Sequence, residues 1–306
     1  MGIRKPLAPP QISVVVPCRG DGDVLAGCLN ALKLQTCSFS FEVIVVDSAG
    51  DPAVERLLSA LPSGSLVRSE GGLLPGAARN LGAKAARGAI IAFTDADCRP
   101  RPDWLAGAAR ALEKGAKLVG GPVGHALPFH PVAVADNTMQ FIDYLPGRRA
   151  GATDHLAGCN LALRRCDFLD HSGFREDLIV GEDSLFIEDA ARRWGKLVRF
   201  VPQMAVDHRG RRALAAFWHH QLRFGYHRAL LGSRLKPALR RHGRSLLGTG
   251  YFCLRRFCYF FLRLAQWDPL GLPRFLLLVP LTAFGLAGYG KGFRKGCREA
   301  EAPADE

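Results

Sequence analysis

Apolar residues recur along the first 120 positions in two alternating rhythms. Short apolar, largely β-branched runs at 11–16 (QISVVV), 41–46 (FEVIVV), 89–94 (AIIAFT) and 117–120 read as buried strands, with a weaker one at 65–69. Between them, helical spacing predicts helices over 22–35, 51–60, 76–87 and 103–114. Val24, Leu25, Cys28, Leu29 and Leu32 form the apolar stripe of the first. Asp51-Pro52 supplies the N-cap and first turn of the second. Gly88 and Gly115 close the other two. This alternation predicts an α/β fold with right-handed crossovers and a mostly parallel sheet covered on both faces. Ligands of such sheets sit at the carboxyl ends of the strands.

The pattern loosens afterwards. Residues 121–155, rich in Pro, Gly and His, read as a long loop with a short helix near 133–144. Strands are expected at 161–164 and 196–201, and helices over 181–194 and 212–235, the latter long and basic. In residues 251–265 (YFCLRRFCYFFLRLA), Arg255, Arg256 and Arg263 share one arc of about 100°, with Phe257, Cys258, Phe261 and Leu262 outside it. That predicts a basic amphipathic helix suited to an anionic bilayer surface. Residues 275–290 form a 16-residue uncharged stretch interrupted by Pro280. It falls short of the roughly 20 residues that span a bilayer. An interfacial or re-entrant segment is the favoured reading, beside a buried core helix and a tilted span. Lys291, Arg294, Lys295 and Arg298 would then meet cytosolic headgroups.

Composition sharpens this picture. With 306 residues, 48% hydrophobic and 23% charged, the chain is neither disordered nor a multi-span transporter. No apolar stretch precedes the first strand, so no secretory leader is expected. Nine cysteines without a CxxC pair predict reduced, cytosolic thiols. The net charge of +13 is uneven: residues 1–191 carry 19 Lys/Arg against 22 Asp/Glu, residues 192–299 carry 22 against 3. The basic part wants an anionic partner. Its arginines are interleaved with Phe and Leu and no nucleic-acid-binding signature is present, so lipid is expected rather than nucleic acid. The expected organisation is a flexible N-terminus (1–10), a catalytic domain (11–210), a basic membrane-associating helical region (211–298) and an acidic tail (299–306).

Three features point to chemistry. Asp95 and Asp97 stand two residues apart just past a buried strand, where they can share a hard divalent cation, Mg²⁺ or Mn²⁺. Glu182-Asp183 opens a helix; such acids favour the helix dipole, and either is also placed to act as a general base toward a hydroxyl. His208 follows a strand and is a candidate third metal ligand beside the structural reading of a lone His.

The segments PQISVVVPCRGDGDVLAGCLNALKLQ, FEVIVVDSAGD, LLPGAARNLGAKAARGAIIAFTDADC, HLAGCNLALRR and VGEDSLF resemble, in that order, the family 2 glycosyltransferases across about residues 11–235. The resemblance implies a GT-A fold, a nucleotide-diphosphate sugar donor and transfer with inversion. It implies that Pro17 and Asp47 line the base and ribose pocket, with Arg79 and Asn80 facing it. Asp95 would contact ribose or metal, Asp97 the metal, and Asp183 would be the base supported by Glu182. Gly158, Cys159 and Asn160 would border the acceptor site, or form a tight turn before the next strand. Two departures stand out. Cys18-Arg19-Gly20 replaces the usual polar triplet after the first strand. His220-Gln221-Leu222-Arg223-Phe224 matches the processive Gln-Gln-x-Arg-Trp motif only in part, so single-sugar, non-processive addition is expected, with Arg223 still a candidate contact to diphosphate. The expected setting is the cytoplasmic face of the inner membrane, with a lipid-linked or envelope glycan acceptor. A sugar nucleotidyltransferase and a degenerate membrane-bound scaffold are the alternatives.

Overall fold

The two strongest strand signals become neighbours. The computed structural model describes residues 9–300 apart from 21, 62, 70, 236–239 and 244. Within it β1 (Ile12–Cys18) is followed by α1 (Gly22–Lys33) and pairs in parallel with β2 (Phe41–Asp47), setting Cys18 opposite Asp47. Next come α2 (Pro52–Ser59), β3 (Gly64–Arg68), α3 (Pro75–Ala85) and β4 (Ile90–Thr94). The predicted cap is present: Asp51 Oδ1 accepts the Ala53 N–H at 2.8 Å, ahead of Pro52. Then follow β5 (Cys98–Pro100), α4 (Trp104–Glu113), β6 (Leu118–Gly120), β7 (Val123–His125), α5 (Pro131–Phe141), β8 (Gly151–Ala152), β9 (Asn160–Arg164), α6 (Arg165–Leu169), α7 (Glu182–Trp194), β10 (Val198–Phe200) and β11 (Val206–His208). The remainder is helical: α8 (Leu214–Leu235), α9 (Arg240–Gly243), α10 (Leu246–Trp267), α11 (Leu272–Leu277) and α12 (Val279–Glu299).

Eight strands form one sheet in the order β3-β2-β1-β4-β9-β6-β10-β8. The order reverses between β1 and β4, which creates a crevice at their carboxyl ends. The sheet is mostly parallel, as expected, but β9 runs antiparallel to both β4 and β6. Within the loop read over 121–155, the expected short helix near 133–144 is α5, and the segment also carries β7 and the two-residue β8. Strands this short leave too few positions for an alternation to register.

The chain divides into two compact units: Met1–Pro122 with Arg149–Asp177 and Asp183–Val206, and Val123–Arg148 with Leu178–Glu182 and Asp207–Glu306. The expected single cut near residue 210 is therefore replaced by an interleaved division. The flexible N-terminus and acidic tail read from the sequence fall largely on residues 1–8 and 301–306, which lie outside the described residues.

In the first unit, α3 lies close on the sheet because Gly82 permits it. A Cβ there would come within 2.4 Å of Val15 Cγ1. The chain leaving α3 is fixed by a knot of bonds around the buried Glu42. Ser13 Oγ donates to Glu42 Oε1, and Glu42 accepts the Arg87 backbone and side chain. Phe93, Phe168, Phe174 and Phe186 pack as a ring cluster, with Phe93 edge-on to Phe174 at 5.2 Å.

In the second unit, α8 and α12 approach until their backbones touch. A Cβ at Gly292 would lie 1.9 Å from the Leu222 carbonyl oxygen, and one at Gly225 would lie 2.0 Å from that of Tyr289. Thr282, Gly285, Leu286 and Tyr289 are buried, so half of the apolar 275–290 stretch is a core helix face. Among the described residues no single helix is long and apolar enough to cross a membrane. The segments Pro269–Leu277 and Val279–Glu299, bent by 78°, meet that length and composition only together.

The arginines of α10 also depart from expectation. Arg256 sits over the rings of Tyr289 (4.3 Å) and Phe260, and Arg263 lies between Tyr259 and Trp267 and faces Asp143. Their guanidinium planes find aromatic faces inside the unit. Arg255 stays exposed, as expected, and beside it α10 exposes an apolar stripe: Leu247, Tyr251, Leu254, Phe261 and Leu262.

Candidate active site

β4 delivers the acid pair. Its last residue, Thr94, is buried, and the turn Asp95-Ala96-Asp97 follows at the sheet's reversal point. α3 supplies the counter-charge. Arg79 is 4% exposed, and its Nη2 meets Asp95 Oδ1 at 2.8 Å. The Phe174 ring lies 5.6 Å from the guanidinium carbon. Arg79 thus projects from the buried face of α3 onto the acid turn rather than into solvent. The field of the acids reaches inward: burial first, then Asp97 and Asp95, raises the pKa of the buried Cys28 thiol. Two half-buried carboxylates in one turn are a hard oxygen donor set, and they fit Mg²⁺ or Mn²⁺.

β2 delivers Asp47, which is fully buried. Its Oδ1 accepts the Ala49 N–H at 3.0 Å and its Oδ2 the Asp51 N–H at 2.9 Å. Asp47 therefore fixes the loop that leads into α2, and Gly50 allows that loop its left-handed residue at φ +70°. Pro17 lies one position before the end of β1, opposite Val46.

Asp183 stands in the first turn of α7. Its Oδ1 accepts its neighbour's N–H, that of Ser184, at 2.7 Å, and its Oδ2 accepts the Gly158 N–H at 3.1 Å. A Cβ on residue 158 would sit 2.5 Å from that same Oδ2. Only glycine lets the carboxylate come so close. The loop 158–160 and the helix start are thus locked together through the candidate base. Glu182 is 5% exposed.

Several expected site residues turn out to be spent on structure. Asn160 is fully buried: Oδ1 accepts the Trp104 indole N–H at 2.8 Å, and Nδ2 donates to the carbonyls of Met204 (2.7 Å) and Pro122 (3.1 Å). It ties β9 to three distant segments and offers nothing to an acceptor sugar. Cys159 is buried beside Cys98. Asn80 uses its amide on the 174–176 loop, donating to the Phe174 carbonyl and Glu176 Oε1 at 2.9 Å and accepting the Phe174 N–H at 3.0 Å. It shapes the loop that carries Phe174, and through it the seat of Arg79.

In the second unit, His208 ends β11 and is buried. Its Nδ1 lies 2.8 Å from Asn137 Oδ1, whose amide nitrogen also donates to the His208 carbonyl. Arg223 is exposed on α8. Its helix neighbours His220 and Gln221 point inward to Asp136: His220 Nδ1 lies 2.7 Å from Oδ1 and Gln221 Nε2 at 3.2 Å. Arg211 reaches the other oxygen, through its N–H at 3.1 Å and Nη1 at 3.4 Å. Burial pushes the Asp136 pKa up, but His220 and Arg211 outweigh it and hold the carboxyl below its usual value. Burial lowers the pKa of His220. A neutral His220 donating to an ionised Asp136, with Arg211 as counter-ion, satisfies both. Sequence reading missed Asp136. Its one signal is an acid standing in an otherwise uncharged helix, PVAVADNTMQF.

Comparison with known proteins agrees with this arrangement. The chain is 30% identical over 184 residues to the glycosyltransferase AglE of Haloferax volcanii, covering 57% of this chain and 59% of that one. It is 35% identical over 101 residues to the succinoglycan biosynthesis protein ExoO of Rhizobium meliloti, covering 31% of this chain and 28% of that one. The matched stretch thus spans under two thirds of either relative. Among solved structures, the mannosyltransferase PcManGT from Pyrobaculum calidifontis, in complex with GDP-Man and Mn²⁺, superposes with a TM-score of 0.56 at 22% identity, over 97% of this chain and 89% of that one. S. aureus TarS 1-349 in complex with UDP-GlcNAc gives 0.54 at 18% identity, over 94% and 91%. These two share the GT-A fold of an α/β sheet with a helical C-terminal region. Residues 13–169, which contain all but the first residue of β1, the acid turn, Arg79 and Gly158, match the family model of glycosyl transferase family 2. With more than half of the chain inside that match and the acid turn at the reversal point of its sheet, the chain belongs to the family 2 glycosyltransferases.

Proposed function

We propose that this chain transfers a single sugar, with inversion, from a nucleotide-diphosphate sugar to a hydroxyl of a lipid-linked or envelope glycan acceptor, at the cytoplasmic face of the membrane. The observation that carries it is the acid turn at the reversal point of the sheet, with Arg79 anchored on Asp95 at 2.8 Å. In this reading Asp97 and Asp95 hold Mg²⁺ or Mn²⁺, and His208, at the end of β11, is the candidate third ligand. The cation, when bound, neutralises charge on the departing diphosphate. Pro17 and the loop fixed by Asp47 border the base and ribose. Asp183 takes the acceptor proton. Gly158 and Ser184 hold its carboxylate through their N–H groups, so the base is oriented before the acceptor arrives. Gly158 and Cys159 act on the acceptor side through backbone only. Arg223 remains a proposed contact to diphosphate.

The exposed apolar stripe of α10 supports membrane docking. The excess of basic residues over 192–299 adds attraction to anionic headgroups.

The test is donor turnover with UDP-, GDP-, CDP- and dTDP-sugars in the presence of Mn²⁺ or Mg²⁺. Wild type is expected to consume one donor class in a metal-dependent way, with Asp97→Ala and Asp183→Asn reduced by about a hundredfold or more. Turnover at wild-type rate in both variants would refute the site.

A further inference from the structure

Helices α10 and α12 leave a groove of about 850 Å³ between them. They run antiparallel: Phe252 stacks on Phe293, and further along Cys253 Sγ faces the Leu286 carbonyl at 3.5 Å. One end of the groove is therefore walled by Cys253, Leu254, Phe257, Ala283, Leu286 and Ala287. The other end carries Lys291, Arg294, Lys295 and Arg298. Those four occupy positions i, i+3, i+4 and i+7 of α12 and so share one face. The one acid there, Glu299, is engaged by the Tyr226 hydroxyl at 2.5 Å and by Lys295 Nζ at 3.7 Å. Arg294 Nε has no acceptor. Gly250 opens the wall: a Cβ at this position would meet nothing within 4 Å.

We propose that this groove holds one anionic-headed, long-chain lipid, its chain along the apolar end and its phosphate at the four cations. The volume falls in the range of small-molecule sites. The apolar walls offer no partners to a sugar or a base, and free phosphate would leave them uncovered. The polarity gradient from end to end matches an amphiphile with a negative head. The inference concerns binding alone and stands whether or not the chain transfers sugar.

The test is a titration of the full-length protein with dodecyl phosphate below its micelle concentration, beside dodecyl maltoside and inorganic phosphate. Dodecyl phosphate is expected to bind one-to-one and about tenfold or more tighter than either. Gly250→Phe fills the groove and should weaken both amphiphiles by about tenfold, with the melting temperature unchanged or raised because a helical glycine is removed. The double variant Arg294→Gln with Lys295→Gln should weaken dodecyl phosphate by a similar factor and leave dodecyl maltoside unchanged. Wild-type affinity in Gly250→Phe would overturn the assignment. So would inorganic phosphate binding as tightly as dodecyl phosphate, or a probe that enters only after residues 301–306 are removed, which would make the acidic tail the occupant.

Discussion

A methyl group on residue 158 is the sharpest residue-scale probe of the site. Gly158→Ala would push its Cβ to 2.5 Å from Asp183 Oδ2, so the carboxylate must move. A displacement of about 1 Å at a reacting group costs roughly a hundredfold in rate. The variant is therefore expected to lose about that factor in kcat, with donor KM within a few-fold of wild type and folding intact by circular dichroism. A wild-type kcat would mean that Asp183 is not the base. Asn160 makes the opposite prediction. Asn160→Ala removes the partner of the Trp104 N–H and of the Met204 carbonyl, while the Pro122 carbonyl keeps the Val206 N–H. At about 1–3 kcal/mol for each unsatisfied group, a loss of several kcal/mol in urea unfolding is expected. The sequence made Asp95, Asp97 and Asp183 legible because an acid beside a buried strand or at a helix start is conspicuous. It did not make Asn160 legible as a structural residue, because its partners at 104, 122 and 204 lie 38 to 56 positions away.

His125 sets a pH dependence on the second unit. Burial first, then the Arg274 charge, partly offset by Asp207, lowers its pKa from 6.5 to about 4. The unfolded chain therefore binds a proton that the folded one refuses. Stability from this group is full above pH 6.5 and falls as the pH drops toward 4, where the loss levels off. Over that window the loss reaches about 3 kcal/mol. Urea unfolding at pH 7, 5.5 and 4 checks it, and His125→Gln should flatten this part of the profile. A flat wild-type profile would place His125 in contact with water.

At the scale of elements, the helix pair α8 and α12 carries the clearest consequence. Glycines at 285, 288, 292 and 296 put small residues along one face of α12, and Gly225 answers from α8. The apolar 275–290 stretch looked like a membrane segment because composition alone does not tell lipid from a neighbouring helix. The glycine spacing marks the face that meets a neighbouring helix, in water or in a bilayer alike, since close backbone approach requires it. Gly292→Leu must drive a side chain into the Leu222 carbonyl, 1.9 Å from where its Cβ would stand. A cost of about 3 kcal/mol or more is expected, read as loss of the cooperative melt of this unit or as protease sensitivity within α8. Gly250→Ala, on the open side of α10, is the matched control and should not destabilise. The same contrast explains which strands were legible. β1, β2 and β4 are five to seven residues long and buried on both faces, so their apolar runs were plain. β5, β7 and β8 have two or three residues each and are held by partners elsewhere in the chain, which no local pattern announces.

For the whole molecule, the question is what the basic, apolar C-terminal third faces. The sequence put Arg255, Arg256 and Arg263 on one arc and assigned that arc to lipid headgroups. Two of the three arginines are instead stacked on the unit's own aromatic rings. The face left outward carries Arg255 and is otherwise apolar, with Leu247 at 87%, Leu254 at 61% and Leu262 at 64% exposure. If a bilayer is the partner, insertion of this stripe supplies the affinity, and the charges over 192–299 supply the attraction that brings it there. The two contributions separate by salt. Electrostatic attraction between exposed charges is largely screened beyond about 10 Å at 0.1 M salt, whereas burial of leucine is not. Binding to vesicles containing an anionic lipid should therefore weaken as salt rises and then reach a floor. Replacing Leu247, Leu254 and Leu262 together by Gln should remove that floor, because each leucine contributes about 1.5–3 kcal/mol when fully buried and part of that at an interface. Co-sedimentation with vesicles at about 0.05 and 0.5 M salt, which shortens the screening length about threefold, reads both arms. Binding by the triple variant equal to wild type at high salt would show that the stripe does not enter the bilayer, and the anionic attraction alone would then have to carry the association.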